Sequence, residues 1–227
     1  MKNSKRIIYG ILLTAIVFLL ATLVGRSIKL NTFSFVTHTV MLILSIALIY
    51  GLKKYVNYKI ALPKFKKTIK PILFGFFATV IVNALMVALT KGLGGEVEHN
   101  FVFDVMSPLQ IFLLIFIYAS VAEEVLFRGF LQNILNPLQG IGIKIFKRHI
   151  SVPVMISAVA FSLVHLVLIT SGANAYFIIR TLVLTFVLGL IAGYYQEKYD
   201  NNAYAIIVHM SGNFLGVIAA LLTTINL

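Results

Sequence analysis

The chain has no cysteine. That excludes a disulfide framework and a thiol nucleophile. Charge is scarce as well: 11% of the 227 residues are Asp, Glu, Lys or Arg, and 60% are hydrophobic. A soluble domain carries about 25% charged and about 45–50% apolar residues. The composition therefore indicates an integral membrane protein. Acidic residues are few, seven against nineteen Lys and Arg, for a net charge of +12. This excess does not point to nucleic acid, because the cations flank apolar runs, where they act as a topology signal. There is no internal repeat, no low-complexity segment and no His-Glu-x-x-His spacing.

Seven apolar runs are present, consistent with an all-α, polytopic membrane bundle of about seven or eight transmembrane helices, read as one integral membrane domain over 1–227. Ile7 to Val24 is read as the first span. It exceeds the roughly 7–15 residues of a signal-peptide core and no small-x-small site follows. The others are Phe33–Leu52, Pro71–Leu89, Leu109 to about Leu135, Val152–Thr170, Tyr176–Tyr195 and Ala203–Thr224. Asn136-Pro137 ends the fourth, since a residue before proline disfavours the helical region. Lys53 to Lys70 holds seven lysines and reads as a solvated cytoplasmic loop. Thr90 to Pro108 is acidic and reads as an outer loop. With the N-terminus inside, fifteen of the nineteen Lys and Arg residues fall on the cytoplasmic side, Arg128 among them, as the positive-inside rule expects. The expected location is the cell membrane.

Against this background, Glu123-Glu124-Val125-Leu126-Phe127-Arg128-Gly129 stands out. Two carboxylates and a guanidinium inside an apolar span are costly and mark function. Residues four apart share a helical face, so Glu124 and Arg128 can pair, leaving Glu123 for chemistry. Phe161 and His165 are four apart in another span, and His209 and Asn213 in a third. Together they offer a base, two imidazoles and an amide, enough to activate water and hold an oxyanion. At about 1.5 Å per residue, His165 and Glu123 fall at similar depth, roughly 20 Å and 18 Å from the cytoplasmic ends of their spans. His209, at roughly 10 Å, falls shallower. Gly189 and Gly193 give the sixth span a strip for close helix approach, and Gly212 removes bulk beside Asn213. His38, His99 and His149 lie near span ends or in loops and are read as structural.

The segment from Glu123 resembles the first motif of the CPBP intramembrane proteases, the CAAX-protease and bacteriocin-processing (Abi) family. Phe161-Ser162-Leu163-Val164-His165 resembles its second motif, and His209-Met210-Ser211-Gly212-Asn213 its third. The resemblance covers about 109–227. It implies a membrane endopeptidase acting on a peptide or membrane-protein substrate in the lipid bilayer. Glu123 and His165 would then activate water, His209 and Asn213 would hold the oxyanion, and Glu124, Arg128 and Phe161 would support the site. Zinc on Glu123, His165 and His209 is the alternative chemistry; a glutamate-activated water without a cofactor is the preferred one. Peptide maturation, bacteriocin processing or self-immunity is the expected setting. Two other classes compete: a proton- or ion-coupled transporter, and a peptide-binding immunity protein that does no chemistry.

Overall fold

A computed structural model describes residues 1–28, 35–100 and 102–225 of the chain. Among the described residues, six helices are long and apolar enough to cross a membrane: α1 (Asn3–Ser27), α3 (Phe65–Gly92), α4 (Pro108–Gln132), α5 (Val152–Ser171), α6 (Ala175–Tyr199) and α7 (Ala203–Leu222). A shorter apolar helix, α2 (Phe35–Gly51), completes the bundle. The protein is thus a multi-pass, all-α membrane bundle. The expected start of the second span at Phe33, and Lys29 on the outer side, lie outside the described residues.

The first half of α4 is partly exposed. Its second half is the centre of the bundle, and every residue from Val125 to Leu135 is buried. Around it pack α1 and α2 with Val17, Ala21, Met41 and Ile49, and α5 with Phe161. Its polar residues, Glu124, Arg128, Gln132 and Asn133, are buried too, and each finds a partner within the bundle, which is why this span can carry the central position.

α4 is not a plain α-helix. Ile111–Ala119 and Val125–Gln132 are π-helical, with one α-helical stretch, Ser120–Glu124, between them. Widened turns of this kind concentrate at functional sites. Inside a bilayer each backbone carbonyl still needs a donor. Polar side chains supply them: Ser157 Oγ donates to Phe127 O at 2.8 Å, and Asn133 Nδ2 to Arg128 O and Gly129 O at 2.9 and 3.1 Å.

Several boundaries differ from expectation. α3 begins at Phe65, so Lys66, Lys67 and Lys70 are on the helix and Pro71 lies within it. Proline here removes the N–H that would bond the Lys67 carbonyl one turn back. The remaining lysine-rich segment is not a free loop. Val56 is buried, Asn202 N donates to Lys59 O, and Lys59 pairs with Asp200. The loop after α4 forms an antiparallel hairpin, β1 (Gly142–Ile145) with β2 (Arg148–Ser151). In the acidic segment, Ser107 and Gln110 form a capping box that starts α4.

The bundle has two distinct ends. The lysine-rich segment, the hairpin and the 200–202 turn meet at one; Arg6 joins them by donating to Tyr55 O and Ile134 O. At the other, Arg26 donates to Thr170, and Glu98 accepts from Asn174 N at 2.7 Å. Arg128 belongs to neither end, since it is 0% exposed. It therefore drops out of the topology count, which stays at fourteen to four.

Candidate active site

The α-helical stretch of α4 holds Glu123 and Glu124 and aims them at different partners. Arg128 Nη1 donates to Glu124 Oε1 at 2.8 Å, the i,i+4 pair expected from spacing. The same oxygen accepts from His209 Nδ1 at 2.8 Å. Glu124 is thus a buried hinge between α4 and α7. Glu123 is more open, with 18% of its side chain exposed. Its Oε1 accepts from His38 Nε2 at 3.1 Å, and its Oε2 is 3.8 Å from His209 Nε2.

Phe161 organises the aromatic side. Its ring meets Phe127 at 5.2 Å, His165 at 5.2 Å and His209 at 5.3 Å between centres. The Arg128 guanidinium lies 4.5 Å from the Phe161 ring centre. A desolvated cation over a ring is worth up to about 2 kcal/mol, so Phe161 stabilises Arg128 in addition to Glu124.

α5 tightens from α-helix to 3₁₀ at Val164, one residue before His165. His165 Nδ1 lies 2.8 Å from Phe161 O. A carbonyl can only accept, so Nδ1 carries the proton and Nε2 keeps a lone pair in the neutral ring. By the same logic, His209 donates from Nδ1 to the Glu124 carboxylate. Asn213 Nδ2 donates to Ser120 Oγ at 3.1 Å and to Ile115 O at 3.3 Å, which ties α7 to the start of the α-helical stretch that carries Glu123.

Glu123, His165, His209 and Asn213 line one cavity of about 580 Å³, together with His38. Glu98, His99 and Asn100 also line it, so it reaches toward the end opposite the lysines. Glu124, Arg128 and Phe161 stand behind this surface and are buried. The three sequence motifs therefore converge in space.

The depth mismatch for His209 has a structural cause. The turn before α7 is sunk into the bundle: Asn202 is 0% exposed, and its Nδ2 donates to Glu124 O at 3.3 Å. The segment before α3 covers it. α7 therefore starts well inside the protein, and His209 reaches the level of Glu124.

His38 is the residue that sequence reading misses. Its place near a span end reads as structural. The available signal was its polarity within an apolar run, in Thr37-His38-Thr39. The glycine expectation holds in a specific form. A Cβ on Gly189 would stand 2.8 Å from Arg128 Nη2 and 3.1 Å from Ala158 Cα, and one on Gly193 would stand 2.7 Å from Gln132 Oε1. The two glycines make room for polar side chains of α4 as well as for α5. Gly212 faces Leu188 and Thr79 as closely.

The donor set was tested for zinc. Among the described residues, no three His, Cys, Asp or Glu side chains converge as metal ligands do. His209 turns Nδ1 to Glu124, and Glu123 Oε1 is taken by His38. A carboxylate or carbonyl on Nδ1 is also how a metal-bound histidine is held, so a metal here would fall to His165 Nε2, His209 Nε2 and Glu123 Oε2.

Residues 105–215 match the family described as type II CAAX prenyl endopeptidase, Rce1-like. No curated protein and no solved structure matches the chain. The matched residues hold both carboxylates, Arg128, Phe161, His165, His209 and Asn213, and not His38. With its motif residues gathered on one cavity in a multi-pass helical bundle, the segment 105–215 is a CAAX-protease domain of the CPBP family.

Proposed function

We propose that the protein is an intramembrane endopeptidase that hydrolyses a peptide bond with a glutamate-activated water. The observation that carries this reading is the convergence of Glu123, His165, His209 and Asn213 on one cavity inside the bundle. His38 fixes Oε1 of Glu123, leaving Oε2 to accept a proton from water. The neutral His165 offers its Nε2 lone pair to the same water and orients it. The water oxygen attacks the substrate carbonyl carbon, and its proton passes to Glu123. The carbonyl oxygen becomes an oxyanion, held by His209 Nε2–H and by the amide of Asn213 once that amide turns from Ile115 or Ser120. For Nε2 to donate while Nδ1 donates to Glu124, His209 carries both protons. The Glu123 and Glu124 carboxylates on either side of the ring compensate its charge. Collapse breaks the C–N bond, and Glu123 returns the proton to the leaving amine.

The setting we propose is the cell membrane, with the N-terminus and the lysine-rich end in the cytoplasm. The cavity reaches toward Glu98 and His99, at the opposite end, so substrate arrives from the non-cytoplasmic side. That route suits maturation of an exported peptide, or processing and immunity directed at a bacteriocin.

The test is peptide cleavage by purified wild type and Glu123→Gln over a membrane-peptide library, with and without chelator. Cleavage lost in the variant and indifferent to chelator is the expected result. Peptide bonds cut equally well by Glu123→Gln would overturn the assignment.

A further inference from the structure

A second cavity, of about 640 Å³, lies at the lysine-rich end and shares no lining residue with the catalytic one. One wall is α6 from Val187 to Tyr195, with Phe74 of α3; the other is the β1–β2 hairpin, through Ile145, Phe146 and Ile150. Eight residues of helix rise about 12 Å, so the cavity follows α6 from its lysine-rich end well into the membrane-spanning part. Its lining is apolar and aromatic, except for Lys147 and Arg148. The Arg148 guanidinium lies 4.3 Å from the ring centre of Phe74 and 5.5 Å from that of Tyr194.

The hairpin is amphipathic. Ile143 pairs with Ile150 and Ile145 with Arg148, while Lys144 pairs with His149. Alternate strand residues share a face. One face is therefore Ile143, Ile145, Ile150 and Arg148, and the other carries Lys144 and His149. Ile143 and Ile145 are exposed, and Phe146 at the turn is 98% exposed. Phe146 has φ +52°, a left-handed conformation that bulky residues seldom adopt. In water, this uncovered apolar group has no use; at the headgroup boundary it has a place.

We propose that the cavity seats one anionic phospholipid of the surrounding bilayer. An acyl chain runs along α6 from Tyr195 toward Val187, the phosphate rests on Lys147 and Arg148, and the apolar face of the hairpin lies in the headgroup boundary. Basic groups at the rim of an intramembrane apolar pocket complement an anionic headgroup over a zwitterionic one. The length and lining of the cavity fit a hydrocarbon chain.

The sequence has no tryptophan, so Phe146→Trp introduces a single fluorophore at the hairpin turn. The full-length variant is reconstituted in zwitterionic vesicles containing an equal mole fraction of brominated phosphatidylglycerol or brominated phosphatidylcholine. The anionic lipid should quench the fluorophore with about ten-fold higher apparent affinity, and adding Lys147→Gln with Arg148→Gln should erase the preference. Lys144→Gln, which removes one positive charge from the other face, should leave it intact. Equal quenching by the two lipids means bulk contact only and overturns the proposal. So does no quenching by either, which places the hairpin in water. A loss of preference in Lys144→Gln equal to that of the pair would mean general basic attraction and would overturn it too. If the pair fails to fold, the two-lipid comparison on Phe146→Trp alone decides.

Discussion

His38 Nε2 donates to Glu123 Oε1 across 3.1 Å, tying α2 to the catalytic turn of α4. A hydrogen bond to a charged group contributes about 1.5–3 kcal/mol. His38→Phe should therefore lower kcat by roughly 10–100-fold. KM should change little, because His38 orients the base rather than the peptide. His38→Gln, which keeps a donor, should recover part of the loss. A loss confined to KM, or no rescue by Gln over Phe, would remove His38 from this role.

Glu123 and Glu124 should separate by readout. Glu123→Gln removes the proton acceptor and should cost at least 10²–10⁴-fold in rate, while thermal unfolding in detergent stays near wild type. Glu124→Gln weakens a buried contact with both Arg128 and His209, so it should lower the melting temperature as well as the rate. Unfolding curves and single-turnover cleavage on the same preparations test this. Equal melting temperatures for the two variants would contradict it.

Gly189→Ala tests the room left for Arg128. The added methyl would meet Arg128 Nη2 and the Ala158 backbone. Overpacking of this kind typically costs about 1–3 kcal/mol. The variant should melt lower and lose activity. Gly92→Ala, where a Cβ meets nothing within 4 Å, is the control and should be near neutral.

Asn213→Ala should lower kcat by about 10²–10³-fold, the usual cost of one oxyanion donor. Ser120→Ala removes only one of the two partners that hold the amide, so its effect should be much smaller. If both variants are equally impaired, Asn213 acts as a brace between α7 and α4 rather than as a donor.

Prolonged dialysis against chelator should leave cleavage unchanged if Glu123, and not a metal, activates the water, as proposed above. Metal analysis of active protein is the companion measurement. Activity lost on chelation and restored by Zn²⁺ would instead assign Glu123, His165 and His209 to a metal.

Periodicity and charge made much of the bundle legible. Apolar runs gave the spans, and i,i+4 spacing gave the Glu124–Arg128 and Phe161–His165 relations. What stayed hidden depends on contacts between distant segments. The depth of His209 could not be read from where its run begins, because Asn202 is buried under a segment 140 residues earlier, through Lys59. The π-helical turns of α4 were not legible either, since α and π turns differ by one residue in hydrogen-bond spacing and both fit the same short apolar run. The hairpin was missed because Lys144, Lys147 and Arg148 suggested only a charged loop. His38 was missed because its partner, Glu123, is 85 residues away.

The segment before α3 changes what counts as the working unit. A Cβ on Gly129 would lie 2.8 Å from the Tyr58 ring, so Tyr58 packs onto the π-helical turn just past Arg128. Lys59 O receives the amide of Asn202, and α2 delivers His38. All three come from outside residues 105–215. Heredity of the chemistry and autonomy of folding are therefore divided differently along this chain. A graft of the motif-bearing part onto another membrane scaffold would carry the reacting groups and leave behind the parts that set their height. A working chimera would have to inherit the lysine-rich stretch together with the glutamates.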